Sequence, residues 1–189
     1  MKPIDTDRLT IRKFTSNDPM APYCHPVDRM NMGFDYSPEM ADRYYAEYPF
    51  PGAGWFAVCL RATGGIVGRA GLLLRGDLYD PPEIELAYGI AEEHRRKGYA
   101  VEAAKALVVY AAEELRLSRF FAGVHVDNLA SRRVAEKCGL DAEETVEWYG
   151  EKHTMYWLRW SARRTVLKNE DTQHDASHGP GAAGAEPGQ

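Results

Sequence analysis

Residues Glu83 to Ala100, EIELAYGIAEEHRRKGYA, constrain this chain more than any other stretch. Ile84, Leu86, Tyr88 and Ile90 alternate with Glu83, Glu85, Ala87 and Gly89, the period of a strand with one well-buried face. The second face carries a carboxylate and then two very small residues, so another group can lie close to the backbone there. Directly afterwards His94, Arg95, Arg96 and Lys97 crowd in front of Gly98, and a helical pattern begins. A helix N-terminus is the positive end of the peptide dipole, so each cation beside it is unfavourable by roughly 0.3–1 kcal/mol. Two readings of that placement stand. An anion held by backbone N–H groups and by the side chains would make it favourable, with Gly98 letting a phosphate approach the main chain. A solvated loop ahead of a surface helix would need no ligand.

The helix that follows carries Val101, Ala104, Val108, Ala111 and Leu115 in steps of three and four, a single buried stripe. Before the central segment, Arg8 to Phe14 alternates as a first strand. Ser16-Asn17-Asp18-Pro19 has helix-start chemistry, but Pro22 and Pro26 break residues 19–36 into short helical pieces and loop. Tyr23, His25, Met30, Met32, Phe34 and Tyr36 in that stretch read as core or lid. A second helix is expected over 38–48. Trp55 to Arg61 and Ile66 to Arg75 form a hairpin turning at Thr63-Gly64-Gly65. Phe120 to Val126 is a further strand, Asp127-Asn128 starts a helix that ends at Gly139, and Asp141 to Tyr149 with Lys152 to Ser161 make a closing hairpin.

At 189 residues the chain suits one domain with a substantial core, here expected over 1–167. Residues 168–189 are polar, rich in glycine, proline and alanine, and read as a disordered tail. In that tail one lysine stands against Glu170, Asp171, Asp175 and Glu186. It therefore supplies −3 of the net charge of −5 and leaves the body at −2. A nucleic-acid-binding surface would need more cations than this. No apolar run approaches the ~20 residues of a membrane span, and the N-terminus is no signal peptide. Cys24, Cys59 and Cys138 have no metal or disulfide spacing and read as reduced thiols of a cytoplasmic protein; no metal site is expected.

Arg95-Arg96-Lys97-Gly98-Tyr99-Ala100 fits the (Gln/Arg)-x-x-Gly-x-(Gly/Ala) signature of the GNAT superfamily of acyl-CoA-dependent N-acyltransferases. Glu85 to Ile90 resembles the Glu-Ile-Gly-Tyr-Trp-Ile pattern of the branch that holds the ribosomal-protein alanine N-acetyltransferases, with Ala87 and Gly89 in place of Gly and Trp. Asn128 to Leu140 resembles the family's Asn-x-x-Ser-x-Arg-x-x-Glu-Lys-x-Gly-Phe, with Leu140 for Phe. The resemblance covers roughly residues 5–161. It implies an α/β (α+β) fold: one mixed sheet of about six to seven strands, splayed between strands four and five, with helices on both faces. Acetyl-CoA is the implied co-substrate, and the implied acceptor is a primary amine, on a small molecule or a protein N-terminus.

The site residues follow from the resemblance. Tyr88 and Ile90 would pair by main chain with the pantetheine arm, and Arg95, Arg96, Lys97, Gly98, Tyr99 and Ala100 would hold the pyrophosphate. Asn128 would bond the pantetheine, and Arg132 or Arg133 would reach the 3′-phosphate region. A backbone N–H near Ile90 would face the thioester oxygen. Glu85 matches the proposed base and Ser131 the proposed acid, with Tyr99 and Tyr156 as other hydroxyls able to serve. Bland readings stand beside these: a surface or salt-bridged carboxylate for Glu85, and capping of the helix start for Asn128 and Ser131. Trp55, Tyr79, Trp148, Tyr149 and His153 are acceptor-side candidates that core packing explains equally well. A free α-amine, with a pKa of about 7.7–8.0 against ~10.4 for lysine, would need little help to lose its proton. A catalytically silent acyl-CoA-binding or regulatory module on the same fold is the alternative, and a homodimer through the last strands is compatible with both.

Overall fold

Gly54 to Cys59 and Val67 to Leu73 are buried residue after residue, as continuous apolar runs must be when both faces of a sheet are covered. These two strands lie inside a larger sheet, seen in a computed structural model that describes residues 1–15, 17–18 and 40–160. Ile4–Asp5 (β1) pairs with Leu9–Arg12 (β2), β2 with Gly54–Leu60 (β3), β3 with Ile66–Arg75 (β4) and β4 with Glu83–Ile90 (β5), all antiparallel. Arg119–His125 (β6) joins β5 in parallel. The closing hairpin, Asp141–Trp148 (β7) and Glu151–Arg159 (β8), adds to β6 through β8. The order across the sheet is β1-β2-β3-β4-β5-β6-β8-β7.

Among the described residues eight strands stand where six to seven are expected. The extra one, β1, is two residues long, too short for any periodic signal. It folds back on β2 because Thr6 closes the turn: its N–H donates to the Leu9 carbonyl at 2.8 Å and its hydroxyl accepts the Leu9 N–H at 3.0 Å. The expected parting of strands four and five consequently falls between β5 and β6.

Among the described residues the helices are Met40–Glu47 (α1), Tyr99–Glu113 (α2) and Leu129–Lys137 (α3). The buried stripe of α2 is Ala103, Ala104, Leu107, Val108 and Ala111, whereas Val101 and Leu115 are only half-buried. The stripe is thus broader than one residue per turn, and its alanines bring the helix close to β4 and β5. α3 packs on α2 and β6, on the face that carries Tyr88 and Tyr156. The opposite face holds two buried clusters, Phe14, Trp55, Ala57, Cys59 and Leu73, then Phe121, Trp148, Met155 and Trp157. Cys59 and Cys138 are buried free thiols. Cys24, the expected helical pieces of 19–36 with their large side chains, and the tail 168–189 lie outside the described residues.

Candidate functional site

Neighbouring residues of an antiparallel ladder point their peptide groups to opposite sides. The Ala91 N–H donates to Val67 across the β4 side at 2.9 Å, so Glu85, Ala87 and Gly89 also turn their peptide groups toward β4. Ile84, Leu86, Tyr88 and Ile90 must then turn theirs toward β6. β6 stands in register with β5 at one pair alone, Glu85↔Phe121. Beyond that pair no ladder pair joins the two strands, and the peptide groups of Tyr88 and Ile90 face this unpaired stretch, the fork. The Ile90 carbonyl accepts a hydrogen bond from Arg95 Nε at 3.1 Å, which ties the basic loop to the fork.

The basic loop turns twice through left-handed backbone, at Arg96 (φ 61°) and Gly98 (φ 84°). Glu92–His94 forms a single 3₁₀ turn ahead of it, where the sequence reads as loop. Gly98 caps α2 without any side-chain bond, and the first helical bond runs from the Glu102 N–H to the Gly98 carbonyl. The N–H groups of the first turn thus have no side-chain cap, and the side chains of Arg95, Arg96 and Lys97 ahead of them are exposed. Arg8, just ahead of β2, braces the loop: it donates to the Lys97 carbonyl at 2.8 Å, lies 4.8 Å from the Tyr99 ring centroid and pairs with Glu102 at 2.6 Å.

Burial alone would raise the Glu102 carboxyl, but hydrogen bonds from Thr6 and Arg8 outweigh it and hold the group below its ordinary value near 4.5. A depressed folded-state pKa stabilises the protein above the unfolded value and is lost as pH falls through the folded one. The stability difference between the native protein and Glu102→Gln is therefore expected to be full above about pH 5 and to vanish on acidification. Thermal unfolding of both between pH 3 and 7 measures it. A difference that does not depend on pH would contradict the carboxylate's role in bracing the loop.

Glu85 points to the face opposite α2 and α3. It is 5% exposed; Arg75 Nε donates to its Oε2 at 2.7 Å, and Arg75 Nη2 forms an ion pair with the same oxygen at 2.6 Å. The salt-bridged reading of Glu85 thus describes its resting contacts. Burial pushes the carboxyl up; the charge and hydrogen bonds of Arg75 pull against that, and a backbone hydrogen bond from Gly123 adds a smaller pull. The Arg75 guanidinium lies 5.0 Å from the Trp148 ring centroid. Trp148 Nε1 and the Tyr149 hydroxyl both donate to Asp77 Oδ2, at 3.1 and 2.5 Å, and the two rings stack at 5.0 Å. Burial and the bond to Asp77 push the Tyr149 hydroxyl up to about 12.

Ser131 is on the other face. Its carbonyl accepts from the Tyr88 hydroxyl at 2.9 Å, and its N–H donates to the Asn128 side chain at 3.0 Å. The capping reading of Asn128 is the one observed. Arg132 Nε donates to the buried Tyr156 hydroxyl at 2.9 Å. Glu85 and Ser131 therefore flank the fork from opposite sides of the sheet rather than touching.

Of the acceptor-side candidates, Trp148, Tyr149 and His153 gather beside Glu85, with His153 edge-on to Trp148 at 5.5 Å. Tyr79 packs edge-on against Phe121 and Trp157, at 5.1 and 5.4 Å, in the same cluster. Trp55 belongs to the other cluster, 6% exposed, with the Arg69 guanidinium 4.0 Å from its ring centroid. Sequence reasoning missed Arg75 and Asp77. A signal existed for Arg75, since the β4–β5 register sets it opposite Glu83 and hence diagonal to Glu85.

A sequence profile of the acetyltransferase (GNAT) domain matches residues 8–141. The chain is similar to the uncharacterized N-acetyltransferase YjdG of Bacillus subtilis (strain 168), with 38% identity over 91 residues. That alignment takes in 48% of this chain and spans about half, 52%, of the relative. Among solved structures, an acetyltransferase from Agrobacterium tumefaciens str. C58 superposes with a TM-score of 0.64 at 28% identity, over 85% of this chain and 95% of that one. A ribosomal-protein-S5-alanine acetyltransferase from Vibrio fischeri gives 0.58 at 15% identity, over 83% and 96%, a likeness of fold alone. No helix among the described residues is long and apolar enough to cross a membrane.

Proposed function

Since the chain belongs to the GNAT family of N-acetyltransferases, which use acetyl-CoA and acetylate amines, we propose that it acetylates a primary amine by direct attack in a ternary complex. The acceptor is a protein N-terminal residue or a small-molecule amine. The single observation that carries this reading is the fork: β5 and β6 meet at Glu85↔Phe121 and part beyond it, with an uncapped helix start and three exposed cations at its wide end.

Acetyl-CoA supplies the activated acyl group, and the residues around the fork fit its chemistry. Tyr88 and Ile90 turn peptide groups into the fork, suited to an extended amide-bearing arm. Arg95, Arg96 and Lys97 with the N–H groups of Gly98, Tyr99 and Ala100 suit a pyrophosphate. Asn128 and Arg132 lie on the α3 side, where they would hold the arm and the 3′-phosphate. The Ile90 N–H would donate to the thioester oxygen. Glu85, whose carboxyl burial makes more basic, would take the amine proton directly or through a water. Ser131 would return a proton to the thiolate, with Tyr99 and Tyr156 as other hydroxyls able to serve. Trp148, Tyr149, His153 and Tyr79 would wall the acceptor side.

Calorimetry with acetyl-CoA, followed by a thiol-release screen over peptides with varied N-termini, polyamines, amino acids and aminoglycosides, tests the reading. Binding and release with at least one acceptor class are expected. Glu85→Gln should lose about 10²-fold or more in rate, and Ser131→Ala should lose less, because coenzyme A's thiolate is a fair leaving group. Absence of acetyl-CoA binding would overturn the proposal. Binding without turnover on any amine would favour the silent acyl-CoA module, and Glu85→Gln as fast as the native protein would remove Glu85 from the mechanism.

A further inference from the structure

We infer that Arg75 is the positioning residue of Glu85: it pins the buried carboxylate by one oxygen and so fixes the direction in which the other oxygen points. The inference rests on the reading of Glu85 as the proton acceptor. Both Arg75 contacts fall on Oε2, the Nε hydrogen bond at 2.7 Å and the Nη2 ion pair at 2.6 Å. Oε1, free of Arg75, would take the acceptor amine's proton, leaving a neutral carboxylic acid beside an Arg75 that stays charged.

The guanidinium is itself caged. The Trp148 ring lies against it, and that ring is fixed in three ways. Its Nε1 donates to Asp77, its face stacks on Tyr149, and its edge fills the space a side chain at Gly123 would need, since a Cβ there would lie 2.7 Å from the indole. Behind Arg75, the Tyr48 hydroxyl accepts the Leu74 N–H at 3.0 Å. Arg75 can therefore hold Glu85 in one geometry at little further entropic cost.

The electrostatic consequence has a definite sign. A buried carboxyl without a cation protonates and ceases to be a base, whereas one paired in open water is too weak a base to help. Burial raises the Glu85 carboxyl and Arg75 pulls it back, so loss of Arg75 would raise it further. The titratable and charged groups facing it are Arg75 from β4, Asp77 from the loop after it, Tyr48 beyond α1 and Tyr149 at the β7–β8 turn, while Tyr88 of its own strand acts on it from the other face of the sheet. His153 of β8 meets Trp148 edge-on.

The test compares the native protein with Arg75→Met, Arg75→Lys, Glu85→Gln and the double variant Arg75→Met/Glu85→Gln. The acidic limb of the kcat/KM profile is expected to move up by about one to three pH units in Arg75→Met, with the loss in kcat rather than in KM for acetyl-CoA. Arg75→Lys, which keeps the charge but not the paired geometry, should restore part of the shift. In the Glu85→Gln background Arg75→Met should cost no further rate, because it acts through Glu85. A carboxyl-carbon NMR titration of Glu85 in the native and Arg75→Lys proteins reads the same shift without an acceptor, and serves if Arg75→Met fails to fold. An unmoved limb and an unmoved Glu85 titration in the Arg75 variants overturn the inference while Glu85→Gln remains slow. If Glu85→Gln is as fast as the native protein, it is the reading of Glu85 that falls.

Discussion

Exchanging Gly68 for alanine is expected to lower stability by about 3 kcal/mol, the upper range for overpacking a tight core. A Cβ at Gly68 would lie 2.3 Å from the Gly89 carbonyl oxygen, 3.0 Å from the Ile90 Cα and 2.8 Å from the Ile90 Cδ1. Two of those three atoms are backbone and cannot rotate away, so β4 and β5 must separate where Gly68 pairs with Ile90. Ala91 hangs from that same end through its bond to Val67, and the basic loop follows it, so acetyl-CoA affinity should fall as well. Gly89 makes the contrast. It is one residue from the same pair, yet a Cβ there meets nothing within 4 Å. Gly89→Ala is expected to be neutral or slightly stabilising, because a strand glycine costs roughly 0.5–1 kcal/mol relative to alanine. At roughly 2–4 °C per kcal/mol for a chain of this size, thermal unfolding should separate the two variants by about 6–12 °C. Equal melting temperatures would mean that the close approach at Gly68 does not constrain the sheet.

The alternation in Glu83 to Ile90 is legible because one face of β5 is covered by α2, and the sequence period of two follows directly from that burial. The capping role of Asn128 is legible for a similar reason: a helix start needs a local acceptor, and Asn128 is the residue placed to supply it. The fork is different. Residues 83–90 and 120–126 each alternate like ordinary strands, and nothing local records that their pairing ends after Glu85↔Phe121; only the likeness of the flanking motifs to a known family points to it. Arg75 and Asp77 escape for a related reason. Their contacts depend on the register of two strands, on a loop between them and on a hairpin turn about seventy residues away, none of which leaves a period in the chain. The aromatic candidates divide by packing: Trp148, Tyr149 and His153 come to the carboxylate because β8 inserts between β6 and β7, whereas Trp55, on β3, joins a separate cluster.

Truncating Phe121 to alanine is expected to cost about 3–5 kcal/mol, the range for emptying a fully buried aromatic site. Phe121 is 0% exposed and is the β6 residue in register with β5 at the base of the fork. Its ring meets Tyr79 at 5.1 Å, Trp157 at 5.2 Å and Trp148 at 6.4 Å, so its removal also forfeits aromatic contacts worth roughly 0.5–1.5 kcal/mol beyond their area. Phe121→Leu, which keeps most of the volume, should lose clearly less. The cavity would open beside the ring that cages Arg75, so Trp148 would gain room to move and Arg75 would hold Glu85 less firmly. The basic loop stands at the far end of the fork and keeps its own brace through Arg8 and Glu102. Well below the melting temperature, then, acetyl-CoA affinity should change little while turnover falls. Denaturant unfolding measures the stability, and calorimetry beside thiol release separates affinity from turnover. Full turnover in a variant that has lost the expected stability would mean that the base of the fork holds the sheet together without setting the geometry of Glu85.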